Sequence, residues 1–175
     1  MMTKIKISAA MCRQVFHGCT EEYINNVCKG ACCKSSKHGA IVHILPEERE
    51  SMTNKGAQID DNSLLVPKAN RCPFQKENGL CGGHKAKPFG CAASPFTVNK
   101  NNTLIIRNRY RLLKCYKDGN LPAYKAFYDS LVIIFGNEKA EFINNHLDIG
   151  GGDIYIGLSN AVVDNLKEKN IRSKS

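Results

Sequence analysis

Nine cysteines constrain this 175-residue chain more than any other feature. They are unevenly placed: Cys12, Cys19, Cys28, Cys32 and Cys33 come first, Cys72, Cys81 and Cys91 follow, and Cys115 is the last. Nine is odd, so disulfides within one chain cannot use them all. Nine in 175 is also below the ~8–10% typical of a short disulfide scaffold. Lys4 and Lys6 interrupt the opening residues, so the secretory h-region of ~7–15 apolar residues is missing. The expected compartment is the cytoplasm, where thiols stay reduced. Reduced cysteines in such numbers point to metal ligation or redox chemistry.

The cysteine distribution divides the chain into a cysteine-rich part, 1–98, and a cysteine-poor part, 99–175. The second part reads mainly as helix. Helices are expected at 123–135, closed by Gly136, at 138–147, capped by Asn137, and at 160–169, capped by Ser159, from apolar periodicity and capping residues. The first part is less regular. A short helix is expected at 22–28, a strand at 40–45, a helix start at 46–50, loop from 72 to 91 and a strand at 103–107. The fold class that follows is α+β: a small loop-rich cysteine-cluster domain with a packed helical extension. Wholesale disorder is excluded by 42% hydrophobic and 23% charged residues. No apolar run approaches the ~18 residues of a membrane span.

Thiolates are soft ligands that suit zinc and iron–sulfur clusters, and a bound metal replaces a weak core in a loop-rich region. In Cys28-Lys29-Gly30-Ala31-Cys32-Cys33 one turn of chain offers several sulfurs, with Gly30 permitting the turn. The second group is Cys72-Pro73-Phe74, Cys81-Gly82-Gly83 and Lys87-Pro88-Phe89-Gly90-Cys91, where proline and glycine shape the loops.

The ordered set resembles the CxxCxxCC cysteine-cluster (YkgJ-like) family of zinc- or iron-chelating domains: a cluster ending in Cys-Cys, an apolar stretch running into Leu-Pro-Glu-Glu, then Cys-Pro-Phe, Cys-Gly and Lys-Pro-x-x-Cys. The likeness spans residues 28–96. It implies Cys28, Cys32, Cys33, Cys72, Cys81 and Cys91 as metal ligands. The first cluster here runs Cys-x3-Cys-Cys, and Lys87 stands where the family usually has arginine. Six ligands exceed the four of a structural zinc. An iron–sulfur cluster is bulkier and accommodates adjacent thiolates more easily. Some flagellin lysine methylases share this cysteine pattern, which also favours iron. Inert buried thiols and a disulfide scaffold are the plainer alternatives.

Other features are weighed against bland explanations. Cys12 and Cys115 read as core thiols, and Cys19 stays outside the family spacing. His84 could ligate beside Cys81, whereas His17, His38, His43 and His146 read as surface or satisfied core residues. The run Gly150-Gly151-Gly152 lacks the residues of a phosphate loop and is flanked by Asp148 and Asp153. The net charge is +9, and residues 92–125 hold seven bases and one acid. Arg107, Arg109 and Arg111 would share one face of a strand, with Tyr110 and Tyr116 among them, so a nucleic-acid partner is a second reading. A solvated face explains the same charges. A redox or methyl-transfer accessory enzyme is a third reading. No membrane partner is expected.

Overall fold

A computed structural model describes residues 1–33, 42–82 and 87–167. The fold is α+β. Its main sheet has four strands in the order β3-β4-β1-β6: β1 (Met2–Ile7), β3 (Phe96–Val98), β4 (Thr103–Ile106) and β6 (Ile154–Ser159). β1 runs parallel to β4 and antiparallel to β6, and β3 runs antiparallel to β4. The smaller sheet pairs β2 (Val15–Phe16) with β5 (Leu121–Pro122).

β1 was not among the elements expected from sequence, although its alternation is a strand signal. Ile5 and Ile7 are fully buried, whereas Lys4 is exposed. The pairing puts Ile5 opposite Ile156 and Ile7 beside Leu104, so one face of the sheet is continuous and apolar. β6 is the other unexpected strand, with Ile156 and Leu158 buried and Tyr155 exposed. The period-two pattern is short in both, and the pairing that stabilises them spans most of the chain.

The helices behave closer to expectation. The 123–135 stretch is helical but divides into α5 (Ala123–Ala126) and α6 (Tyr128–Phe135) at Phe127, whose ring sits edge-on to Phe16 at 5.2 Å. Gly136, at φ 79°, ends α6 and itself opens α7 (Asn137–Asp148), so Asn137 is the first helical residue and not the cap. Ser159 caps α8 (Asn160–Leu166) by accepting from the Val162 N–H. α8 ends at Leu166, and residues 168–169 of the expected helix lie outside the described ones. The remaining helices are α1 (Ala9–Cys12), α2 (Glu21–Tyr23), α3 (Arg49–Asn54) and α4 (Phe89–Ala92). α2 continues as a π-turn, Ile24–Cys28, and Pro46–Glu48 forms a 3-10 turn leading into α3.

Two apolar cores result. The larger joins β1, β3, β4 and β6 to α5, α6, α7 and α8, and it includes Cys12 and Cys115. The smaller gathers Val42, Ile44, Met52, Ala57 and Leu65. Only residues 42–45 of the expected 40–45 strand are described, and they form an isolated bridge, His43 with Leu64, instead of a strand. No helix among the described residues is long and apolar enough to cross a membrane.

Candidate metal centre

Seven of the nine cysteines arrive on four separate pieces of chain. Cys28 ends the π-turn after α2, and Lys29 and Gly30 follow at φ 53° and 62°. This reversal delivers Cys32 and Cys33 on one short 3-10 turn, Ala31–Cys33. Cys72 and Cys81 lie on a tight loop closed by the Gln75–Cys81 bridge, with Gly82 N–H donating to the Phe74 carbonyl at 2.7 Å. Cys91 is on α4, so the loop expected through 72–91 gives way to helix at Phe89. Cys115 lies between Tyr110 and Tyr116, near β2.

Three polar stitches hold these pieces together. The Cys72 N–H donates to the Cys33 carbonyl at 2.8 Å. The Gln75 amide donates to the carbonyls of Gly30, at 2.9 Å, and Gly79, at 3.2 Å. Glu48 accepts from the Phe89 N–H at 2.6 Å and from the Leu45 N–H at 3.0 Å. One carboxylate therefore joins the Leu-Pro-Glu-Glu segment to the start of the cysteine-bearing helix α4. Neither Glu48 nor Gln75 stands out in sequence as a positioning residue. Glu48 is visible there as an acid in a first helical turn and as the last residue of the Leu-Pro-Glu-Glu segment.

Cys28, Cys32, Cys33, Cys72, Cys81 and Cys91 are all half-buried, Cys12 and Cys115 are buried and Cys19 is exposed. The Cys32 and Cys33 sulfurs are 3.9 Å apart, close to the ~3.8 Å edge of a tetrahedron of sulfurs about zinc. Burial, then the Cys72 thiolate, pushes Cys91 up to about 12, with Arg109 and Arg107 opposing. Burial also pushes Cys115 up to about 12, aided by Cys19, Cys32 and Cys28. Although Cys19 has surface exposure, the protein around its sulfur pushes it up to about 11, with Cys32 and Cys28 adding to this and Lys87 opposing. Cys72 is raised by burial. Cys32 is lowered by the hydrogen bond from Cys33 and by Arg109 and Lys87, against burial, while Cys33 is raised as the donor. Cys12 is raised by burial to about 12 and takes no charge from the other cysteines.

Among the described residues, no three His, Cys, Asp or Glu side chains are drawn together closely enough to hold an ion as they stand. The donor set nevertheless fits a soft metal chemically. It is made of thiols, and the carboxylate of Glu48 is already committed to backbone N–H groups.

A family model described as CxxCxxCC, a "putative zinc- or iron-chelating domain", matches residues 19–111, more than half of the chain. The chain belongs to the CxxCxxCC family. No curated protein and no solved structure matches it. The CxxCxxCC segment begins at Cys19, reaches beyond β4 and stops before Cys115. Metal binding through clustered cysteines is thus the shared character of this protein.

The arginines require a correction. β4 ends at Ile106 and residues Asn108–Leu112 form a 3-10 turn, so Arg107, Arg109 and Arg111 do not line one strand face. Arg109 lies over the Tyr110 ring at 5.0 Å, and Arg111 reaches the Met11 sulfur at 3.5 Å. Tyr110 is buried, and Tyr116 packs on Phe16 at 5.4 Å. The row of cations and open aromatic rings that a nucleic-acid partner needs is not formed by these residues. Arg107 and Arg109 instead act electrostatically on Cys91, and Arg109 acts also on Cys32.

The other sequence candidates settle into structure. His17 stacks on Tyr23 at 3.7 Å, and His146 bonds the Gly152 carbonyl at 2.8 Å. His43 takes part in the bridge with Leu64. Asp148 pairs with Lys125 and Asp153 with Lys6, so the glycine run between them is a tethered turn. His38, Gly83 and His84 lie outside the described residues.

Proposed function

We propose that the protein holds an iron–sulfur cluster or zinc through Cys28, Cys32, Cys33, Cys72, Cys81 and Cys91, with a structural or redox role. The observation that carries this reading is the stitching of the cysteine segments by Cys72 N–H to Cys33 carbonyl, Gln75 amide to Gly30 carbonyl, and Phe89 N–H to Glu48 carboxylate. These bonds fix backbone next to the sulfurs and leave the thiols themselves for ligation. Bound zinc would cross-link the loops, and an iron–sulfur cluster would add one-electron chemistry. Arg109 and Lys87 offset the negative charge that gathers when the thiols give up their protons. Gly30 and the Gln75 amide hold the first turn against the second loop. The reading requires a reducing compartment such as the cytoplasm, where the thiols are free to ligate.

Anaerobic purification followed by zinc, iron and acid-labile sulfide analysis and a visible spectrum tests the reading. Iron with sulfide and a broad brown absorbance identifies the cluster form. A colourless protein with bound zinc identifies the zinc form. A folded chain that holds neither metal, even after reconstitution, overturns the proposal. Single Cys32→Ser and Cys33→Ser variants should each lower metal content.

A further inference from the structure

The main sheet has two edges, and they are closed differently. At the β3 edge the chain leaving α8 folds back: Val98 bridges Lys167, and the Thr97 hydroxyl donates to the Leu166 carbonyl at 2.6 Å. At the β6 edge no further strand follows among the described residues. A side chain reaches in instead. Lys139, on the first turn of α7, donates to the Gly157 carbonyl at 2.7 Å. We propose that Lys139 is a guard on this edge: by holding the Gly157 carbonyl it keeps β6 from pairing, strand to strand, with β6 of a second copy of the chain.

The register shows which groups are at stake. In an antiparallel pair, bonded and unbonded positions alternate. Met2 stands opposite Ser159, and one step further the Asn160 N–H donates to the Met1 carbonyl at 3.2 Å. Leu158, Ile156 and Ile154 therefore turn their backbone groups to β1, and Tyr155, Gly157 and Ser159 turn theirs outward. The Lys139 contact agrees, since a Gly157 carbonyl turned to β1 would be taken by that strand. Among the described residues, nothing else bonds the backbone groups of Tyr155 or the Gly157 N–H. An unpaired row of this kind is a template for another strand, and a lysine is one of the devices that block it.

The occupant this edge fits is its own copy. The outward positions are symmetric about Gly157. Antiparallel pairing across a two-fold axis there sets Gly157 opposite Gly157, and Tyr155 opposite the second copy's Ser159. Gly157 brings no side chain to the axis; a β-carbon there would meet the tip of Met2 at 3.3 Å and no other atom within 4 Å. The pairing also draws apolar surface together. Met2, Ser159 and the second copy's Tyr155 would lie in one row on one face of the sheet, with the small serine between. Met2 and Tyr155 are 60% and 66% exposed in the single chain. Charge opposes the pairing. Each Lys139 would have to leave the carbonyl that the incoming strand needs, and the two ammonium groups would come together beside the axis. The net charge of +9 on each chain adds to the repulsion.

The test is the mass of the full chain in solution, by sedimentation equilibrium under reducing conditions, so that exposed Cys19 does not cross-link copies. Wild type and Lys139→Arg, which keeps a charged donor, should stay at 19.4 kDa. Lys139→Ala and Lys139→Met, the second of which keeps the apolar stem, should rise toward twice that mass with increasing concentration while their circular dichroism stays that of wild type. Adding Gly157→Pro to either should restore the monomer, since proline removes an outward N–H at the axis and none bonded to β1. Amide exchange reads the same interface without the proline: the Tyr155 and Gly157 N–H groups should exchange more slowly in the Lys139→Ala dimer than in wild type. Lys139→Ala and Lys139→Met chains that stay monomeric at every concentration overturn the guard, as does a wild type that is already dimeric. A dimer that leaves those two amides unprotected, or that survives Gly157→Pro, lies on another surface and overturns the β6 pairing.

Discussion

Gly30 shows how narrowly the cysteine loops are fitted. Its φ is 62°, and a β-carbon there would lie 2.2 Å from the Gly79 carbonyl oxygen. That oxygen belongs to backbone, so the neighbouring loop itself would have to move. Gly30→Ala should therefore destabilise the protein by about 1–3 kcal/mol and lower its metal content, read by thermal unfolding and metal analysis. Wild-type values for both would show that the two loops are not in register as described. Glu48 acts at the same scale. A carboxylate accepting two backbone N–H bonds cannot be replaced by a methyl without leaving both donors unpaired. Glu48→Ala should lose about 1.5–3 kcal/mol, whereas the same change at exposed Glu47 should do almost nothing. Equal effects at the two positions would remove Glu48 from its bridging role.

At the scale of elements, the loop after α7 is fastened by charge. Asp153 accepts from Lys6 at 2.8 Å and from the Ala9 N–H at 2.9 Å, tying the approach to β6 to β1 and α1. These partners hold the Asp153 carboxyl below its ordinary range, Lys6 first and the backbone N–H next. A depressed carboxyl contributes stability above its unfolded pKa of about 3.9 and loses it as pH falls through the lower folded value. Asp153→Asn should therefore melt lower than wild type at pH 7, with the gap closing at acid pH. A gap of constant size across that range would mean the charge is not the cause. Packing holds α7 more firmly, since Ile143 is fully buried. Ile143→Ala should lose about 2–5 kcal/mol in denaturant unfolding.

Helices were the legible elements because each carries its own period and punctuation. Gly136 and Ser159 mark their boundaries in sequence and do so in the fold. The strands at 2–7 and 154–159 were not read, since a short alternation gains meaning only from a partner, and theirs are each other. The site was partly legible in the same way. Residue type and spacing single out the thiols proposed as ligands, but the contribution of Glu48 depends on a bond reaching 41 positions along the chain. The three arginines were misplaced because the strand carrying Arg107 was expected to continue, whereas β4 stops at Ile106 and the chain turns.

For the whole molecule, the weak point is the cysteine region. Its own core is the small cluster around Ile44 and Met52, while most buried apolar residues lie in the sheet-and-helix body. Metal ligation would supply the cross-links that this smaller core lacks. With zinc at about 100 times its dissociation constant, the added stability is about 2.7 kcal/mol, or a rise in Tm of about 5–10 °C for a chain of this size. Stripping the metal with a chelator should lower Tm by that amount, and restoring zinc should recover it. A Tm indifferent to chelation would mean that the thiols do not brace the fold.

The pairing of β1 with β6, from Met2 opposite Ser159 to Ile7 opposite Ile154, also fixes an order of events during synthesis. β1 is made first, and its antiparallel partner is made after every cysteine in the chain. At about 5–20 residues per second, the ribosome needs roughly 10–30 s to deliver that partner. Until then the sheet lacks its edge strand, although every cysteine has been synthesised before β6 begins. The metal supply of the compartment of synthesis therefore meets the cysteines before the main body can close around them.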